Sequence, residues 1–276
     1  MTSMAEPCIR FERRGDGLAL ITLDRPERLN ALSGPLLDQL RTAVAECDED
    51  PEVRVILIAG SARPDGRPCF SAGVDVKAFA EHAGVGEYQG FELTNAIDDL
   101  LTPSIAVIDG VCSTGGVELA LACDFRIVAP GAQISDWHLK KLGTGLGAWG
   151  ASTRWASLVG TTRAKEIILT GKVVDGEEAF RIGFATAIHP SEKLMDEAFA
   201  FANQIARMDP RGVRLTLAHL DRIGDMSRDQ ALRWAQLAGD WLGVKTDPGE
   251  IEARILGGAA QPSQPATPPQ PTNKKA

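Results

Sequence analysis

No stretch of this chain reaches the roughly 18 to 20 unbroken apolar residues that a membrane-spanning helix needs. The opening MTSMAEPCIRFERRGDG has no apolar core behind a basic start. A membrane partner and a secretory leader are therefore not expected, and the cytoplasm is the predicted compartment. Basic charge is also short, with 29 Lys and Arg against 37 Asp and Glu for a net charge of -8. Nucleic-acid binding relies on clustered Lys and Arg that displace counterions from phosphates. No basic stripe occurs, so no nucleic-acid partner is expected. The five cysteines (Cys8, Cys47, Cys69, Cys112 and Cys123) are scattered, odd in number and without the C-x-x-C spacing of zinc or redox sites. They read as reduced core thiols. The four histidines lie far apart in the chain, so local spacing defines no metal site.

What is present is a chain of 276 residues with 44% hydrophobic and 24% charged content, enough to bury a full core. Leu18 to Leu23 (LALITL) is rich in β-formers and closed by Asp24, Arg25 and Pro26, which predicts a strand and a turn. A helix follows, with Ser33 as N-cap, Pro35 in its first turn and Leu36, Leu37, Leu40 and Val44 on one apolar face. Further strands are predicted at Val53 to Gly60, Pro103 to Gly110 and Phe125 to Pro130, with the helical pattern GVELALACD before the last. This alternation predicts an α/β core with parallel crossovers. Beyond about residue 190 only helical periodicity continues, carrying Trp234 and Trp241 seven apart, which read as interface or core residues. The expected layout is a core over 1–195, a helical region over 196–258 and a disordered Pro-, Gln- and Thr-rich tail over 259–276.

Two segments concentrate small residues beside predicted strand ends: FSAGVDVK (Phe70 to Lys77) and CSTGGVELALACD (Cys112 to Asp124). Open α/β sheets bind ligands at the carboxyl ends of strands, and small residues let backbone N–H groups approach a ligand. Gly115 and Gly116 would open a helix whose first N–H groups lack partners and whose dipole favours negative charge. An enolate oxygen suits such a place. Glu118, three residues after Gly115, would share its helix face and stand beside an acyl group held there. Taken alone, the glycine pair also suits a tight turn, and Glu118 a first-turn acid facing the helix dipole.

FSAGVDVK and STGGVELALACDFRIVAPGAQIS resemble the two signature segments of the enoyl-CoA hydratase/isomerase (crotonase) family, and RPERLNALS resembles its N-terminal Arg-Pro…Asn-Ala-Leu element. The likeness continues through GTGLGAWG and ILTGKVVDGEEAFRIGFA and covers most of residues 10 to 255. It implies a crotonase-like (ClpP/crotonase) α/β fold, with a core of ββα repeats and a C-terminal helical subdomain that packs as a homotrimer or a dimer of trimers. It also implies an acyl-CoA thioester substrate whose oxygen is bound by the N–H groups of Val74 and Gly115. Backbone around Ala72 and Val76 would meet the adenine, with Arg28 and Lys77 near the CoA phosphates. No metal or redox cofactor is implied.

The chain departs from the family's pattern at one point. Hydratases of the family resemble one another in pairing the glutamate at position 118 with a second one before the later glycine-rich loop. Here that region reads AQISDWHLKKLGTG, one residue longer than the usual pattern. Counting forward from Ala132 places the expected glutamate at His138, and counting back from Gly143 places it at Leu139. Asp136 is nearby, and His138, with an ordinary pKa near neutrality, is a candidate second acid/base. Trp137 reads as packing or as part of an acyl pocket. The segment Glu81 to Leu100 would decide pocket size. A chain that binds acyl-CoA without turnover is the rival reading. GLGAWG also matches the dinucleotide-binding G-x-G-x-x-G, but no buried strand precedes it and Asp175 lies in a turn-like segment, so that class is set aside.

Overall fold

Apolar runs and the turns that interrupt them set the order of elements in the computed structural model, which describes residues 6–81, 85–241 and 248–257. Strand β1 (Ile9–Arg13) pairs antiparallel with β2 (Leu18–Leu23). Helix α1 (Gly34–Glu49) buries Leu36, Leu37, Leu40 and Val44 as its spacing predicts. Ser33 stands at the N-cap but its side chain makes no capping bond. The second helical position is Pro35, which has no N–H to offer.

Three β-β-α units follow. The first is β3 (Val55–Gly60), β4 (Cys69–Ser71) and helices α2 (Val76–Glu81) and α3 (Val85–Asp98). The second is β5 (Ser104–Ile108), β6 (Val111–Ser113) and α4 (Gly115–Ala122). The third is β7 (Phe125–Val128), β8 (Gln133–Ser135), a π-helical turn at His138–Leu142 and α5 (Ala151–Val159). Each unit gives its first strand to one sheet and its second to another. With β9 (Val173–Val174) and β10 (Ala187–Ile188), the sheets run β1-β2-β3-β5-β7-β10 and β4-β6-β8-β9 among the described residues. The pairs β2–β3, β3–β5, β5–β7 and β7–β10 are parallel, as the alternation predicts.

The central strands β2, β3 and β5 of the larger sheet are covered on both faces, which is why they read as nearly continuous apolar runs. One face, with Ile21, Ile56, Ile58 and Ala106, packs under α1 and α4. The other, with Leu18, Leu57, Ile105 and Ile127, receives Leu194, Ala198 and Ala202 of α8 (Leu194–Ala206). Helix α8 thus straddles the 195/196 boundary and packs on the sheet. Between α5 and α8 lie α6 (Thr161–Thr170) and α7 (Gly176–Arg181). Helices α9 (Pro210–Arg222), α10 (Arg228–Trp241) and α11 (Pro248–Gly257) complete the helical region. Trp234 stacks on His219 with ring centroids 4.7 Å apart, joining α10 to α9. The Trp241 side chain and the tail 259–276 lie outside the described residues, as do residues 82–84. All five cysteines are buried and free. No helix among the described residues is long and apolar enough to cross a membrane.

Candidate active site

The site lies where the second strands of two units end. After β4 the chain forms a parallel bridge between Val74 and Leu32, in which the Leu32 N–H donates to the Gly73 carbonyl (2.8 Å) and the Asp75 N–H to the Leu32 carbonyl (3.0 Å). The bridge uses the groups flanking Val74, so the Val74 N–H points away from Leu32. Gly115 is the first residue of α4, and the Glu118 N–H makes the helix's opening bond, to the Thr114 carbonyl at 3.0 Å. The Gly115 N–H therefore has no place in the helical ladder. Among the described residues neither of these two N–H groups has a backbone acceptor in a turn or loop. The two segments touch: a Cβ on Gly115 would lie 3.2 Å from Val74 Cγ2. At Gly73, with φ +94°, a Cβ would overlap Thr114 Oγ1.

Thr114, at φ 47° and ψ -114°, holds a left-handed backbone that costs a β-branched residue about 1–3 kcal/mol. Its N–H is fixed by the Ser135 carbonyl at 2.9 Å. All eight residues of α4 are buried, so this apolar helix is immobilised on every side. The buried Arg126 guanidinium donates to the carbonyls of Ala120 (3.3 Å), Cys123 (2.6 Å) and Asp124 (3.2 Å) at the helix's other end.

Glu118 is 1% exposed, and three donors converge on its carboxylate. Oε1 accepts from the N–H groups of Trp149 (2.9 Å) and Ala151 (3.2 Å). Ala151 begins α5, whose N-cap is Gly150 and brings no side-chain acceptor. Glu118 thus supplies the anion that this helix start favours. Oε2 lies 3.1 Å from Nε2 of His138, whose Nδ1 lies 2.8 Å from Asp136 Oδ1. Burial by itself would lower the pKa of His138, but the hydrogen bonds to Asp136 and Glu118 outweigh it and raise it from 6.5 to about 9. At neutral pH the ring is an imidazolium donating from both nitrogens. Of the two alternatives left by counting, His138 stands beside Glu118, whereas Leu139 is exposed. A π-helical turn, His138–Leu142, begins at this histidine.

A groove of about 320 Å³ runs along the outer face of the smaller sheet to Val74 and Thr114. Strand alternation decides its lining: Ser113, Ser135 and Val173 face it, while Cys112, Ile134 and Val174 face the core. Ala72, Val76 and Trp137 also line it. Arg28 and Lys77 are exposed and are not among its lining residues.

Several contacts that build the site join residues too far apart in sequence to be anticipated. Asn30 is fully buried, and its Nδ2 donates to the carbonyls of Ser61 and Cys69, both at 2.9 Å. Its Oδ1 accepts from the Arg25 N–H (3.0 Å) and the Ser61 hydroxyl (3.1 Å). Arg25 pairs with Asp75 at 3.0 Å, tying the RPER turn to the loop that carries Val74. His138 bridges Glu118, twenty residues earlier, and Asp136. Among the described residues no group of three or more His, Cys, Asp or Glu is arranged to hold a metal ion. The glycines of GLGAWG follow a π-helical turn, not a strand. Gly147 (φ +71°) lets the backbone pass the acid pair, since a Cβ there would lie 2.7 Å from Glu118 Oε1 and 3.2 Å from His138 Cε1.

A family profile described as enoyl-CoA hydratase/isomerase matches residues 13–237. The chain is 33% identical over 221 residues to a Mycobacterium tuberculosis protein named "Probable enoyl-CoA hydratase echA8", covering 79% of this chain and 83% of that protein. It is also 33% identical over 207 residues to the crotonyl-CoA hydratase of Syntrophomonas wolfei, covering 73% of this chain and 76% of that one. A crystal structure of enoyl-CoA hydratase from Bacillus anthracis matches with a TM-score of 0.84 at 27% identity, over 92% of this chain and 98% of that one. The likeness bears out the expected fold.

Proposed function

The chain belongs to the enoyl-CoA hydratase/isomerase family and is an acyl-CoA enzyme of that type; from this premise we propose that Glu118 carries the proton and that the Asp136–His138 pair acts as its partner. The observation that carries the reading is the 3.1 Å contact from His138 Nε2 to Glu118 Oε2, at a position where the family pairs two carboxylates.

Hydration of a 2-enoyl-CoA then runs as follows. The thioester oxygen accepts hydrogen bonds from the Val74 and Gly115 N–H groups. Glu118 takes a proton from water as the water oxygen bonds to C3 and the double-bond electrons move onto the thioester as an enolate. Glu118 then returns that proton to C2, so water has added across the double bond. Fixed donors at the enolate oxygen are worth ~10²- to 10³-fold in rate each. His138, protonated and held by Asp136, donates to Glu118 and fixes its orientation. Hydration comes first because the relatives named above are hydratases. A 3-enoyl to 2-enoyl shift is the second reading, favoured by the direct His138 contact, which leaves a single carboxylate able to move a proton from C2 to C4.

The groove along the smaller sheet suits the CoA arm, with backbone near Ala72 and Val76 at the adenine and Arg28 and Lys77 reaching the phosphates. No cofactor is required for this chemistry. A homotrimer or a dimer of trimers in the cytoplasm is the proposed state. Its support is the run of exposed apolar side chains on and after α9 and on α10, among them Leu220, Ile223, Leu232 and Leu237.

The test is loss of conjugated thioester absorbance from 2-enoyl-CoA, and its appearance from 3-enoyl-CoA, for the wild type and three variants. Glu118→Gln is expected to lower kcat by ~10²- to 10⁴-fold and His138→Gln by about 10²-fold, with partial recovery in His138→Glu. Wild-type turnover in Glu118→Gln would sink the reading. Acyl-CoA binding without turnover in the wild type would favour the non-catalytic binder.

A further inference from the structure

We infer that Trp149 is a specificity-determining residue, forming the wall of the acyl site that holds the thioester substrate to short chains. This rests on the function proposed above.

The Trp149 backbone is fixed from both sides. Its N–H donates to Glu118 Oε1 at 2.9 Å. Its carbonyl accepts from the Thr94 hydroxyl of α3 at 2.9 Å and from Arg154 Nη1 of α5 at 2.6 Å. The indole consequently has a set starting point and direction, and the residue is 3% exposed. The ring passes between two residues that lack a side chain. On one side a Cβ at Gly90 of α3 would overlap indole Cε2. On the other a Cβ at Gly115 would lie 2.8 Å from Cζ3 and 3.3 Å from Cη2. The six-membered ring therefore rests against the residue whose N–H is proposed to bind the thioester oxygen.

An acyl group with its oxygen at Val74 and Gly115 and its C2–C3 bond beside Glu118 meets this ring at once. The space from Gly115 toward α3 is filled by indole, and each added methylene on that side must displace it. Displacement is resisted because the backbone of Trp149 is held by the acid residue, and the ring is packed by glycines that leave no slack.

Titration calorimetry with saturated acyl-CoAs reads this independently of catalysis, since they have no double bond to hydrate. Butyryl-, octanoyl- and dodecanoyl-CoA are titrated into the wild type, Trp149→Ala and Trp149→Phe. The wild type is expected to bind butyryl-CoA at least about tenfold more tightly than dodecanoyl-CoA, and Trp149→Ala to shrink that ratio by about tenfold, with Trp149→Phe between them. A wild type that binds dodecanoyl-CoA as tightly as butyryl-CoA overturns the inference, as does an unchanged ratio in the variants. If Trp149→Ala does not fold, Trp149→Phe and Trp149→Leu carry the comparison. Failure of the wild type to bind any acyl-CoA removes the proposed function and this inference with it, whereas binding with an unchanged ratio removes this inference alone.

Discussion

At residue scale the site turns on a buried cation between two buried carboxylates. His138 gains affinity for its proton on folding, with a pKa that rises from 6.5 to about 9. Its contribution to stability is therefore fully present below pH 6.5 and is lost as pH rises through 9. Urea titrations should show the unfolding free energy falling across that window by up to about 1.4 kcal/mol per pH unit. His138→Gln should flatten the slope and, by leaving Asp136 buried and unpaired, cost about 3–5 kcal/mol at pH 6. A slope that survives the substitution would mean the ring is not the titrating group. Turnover should likewise decline above about pH 9. Asn30 makes a separate prediction. Asn30→Ala strands two carbonyls and two donors in the core, and chemical denaturation should register a loss of about 2–4 kcal/mol.

At the scale of elements, the two ways of counting end on neighbouring residues of one π-helical turn, His138–Leu142. Forward from Ala132 the count runs through β8 and reaches the residue that faces Glu118. Backward from Gly143 the count crosses the π-helical turn His138–Leu142 and ends on the exposed Leu139. Apolar strands were legible for a simple reason: β2, β3 and β5 are largely buried and are built almost wholly of Leu, Ile, Val and Ala. Strands β4, β6 and β8 have three residues each, too few for a period of two to show. Helix α4 was legible together with Gly115 and Glu118, because all lie in one short segment. Trp149 was not, since its role depends on Gly90 of a helix 59 positions earlier. The glycine loop gives this scale its prediction. Gly147→Ala drives a methyl group into Glu118 Oε1 and Ala151 Cβ at φ +71°. It should cost about 1–3 kcal/mol in thermal unfolding and lower kcat by about 10²-fold with little change in acyl-CoA binding.

Across the whole molecule, two sheets share the β-β-α units, so every unit contributes one strand to each sheet. The core and the groove were not equally readable: the central scaffold strands β2, β3 and β5 are mostly apolar, whereas the groove face carries Ser113 and Ser135, which look like loop. Helix α8 closes the scaffold's far side, and Ala198 is fully buried against it. Ala198→Leu should overpack this layer, lowering unfolding free energy by about 1–3 kcal/mol while leaving Michaelis constants unchanged in a standard assay. Glu118 joins the two halves of this design, because the carboxylate proposed to move the proton is also what receives the N–H groups at the start of α5. Selection acting on folding alone would retain a glutamate at that place in a descendant that had abandoned turnover. Its presence in a relative is accordingly a mark of architecture as much as of chemistry.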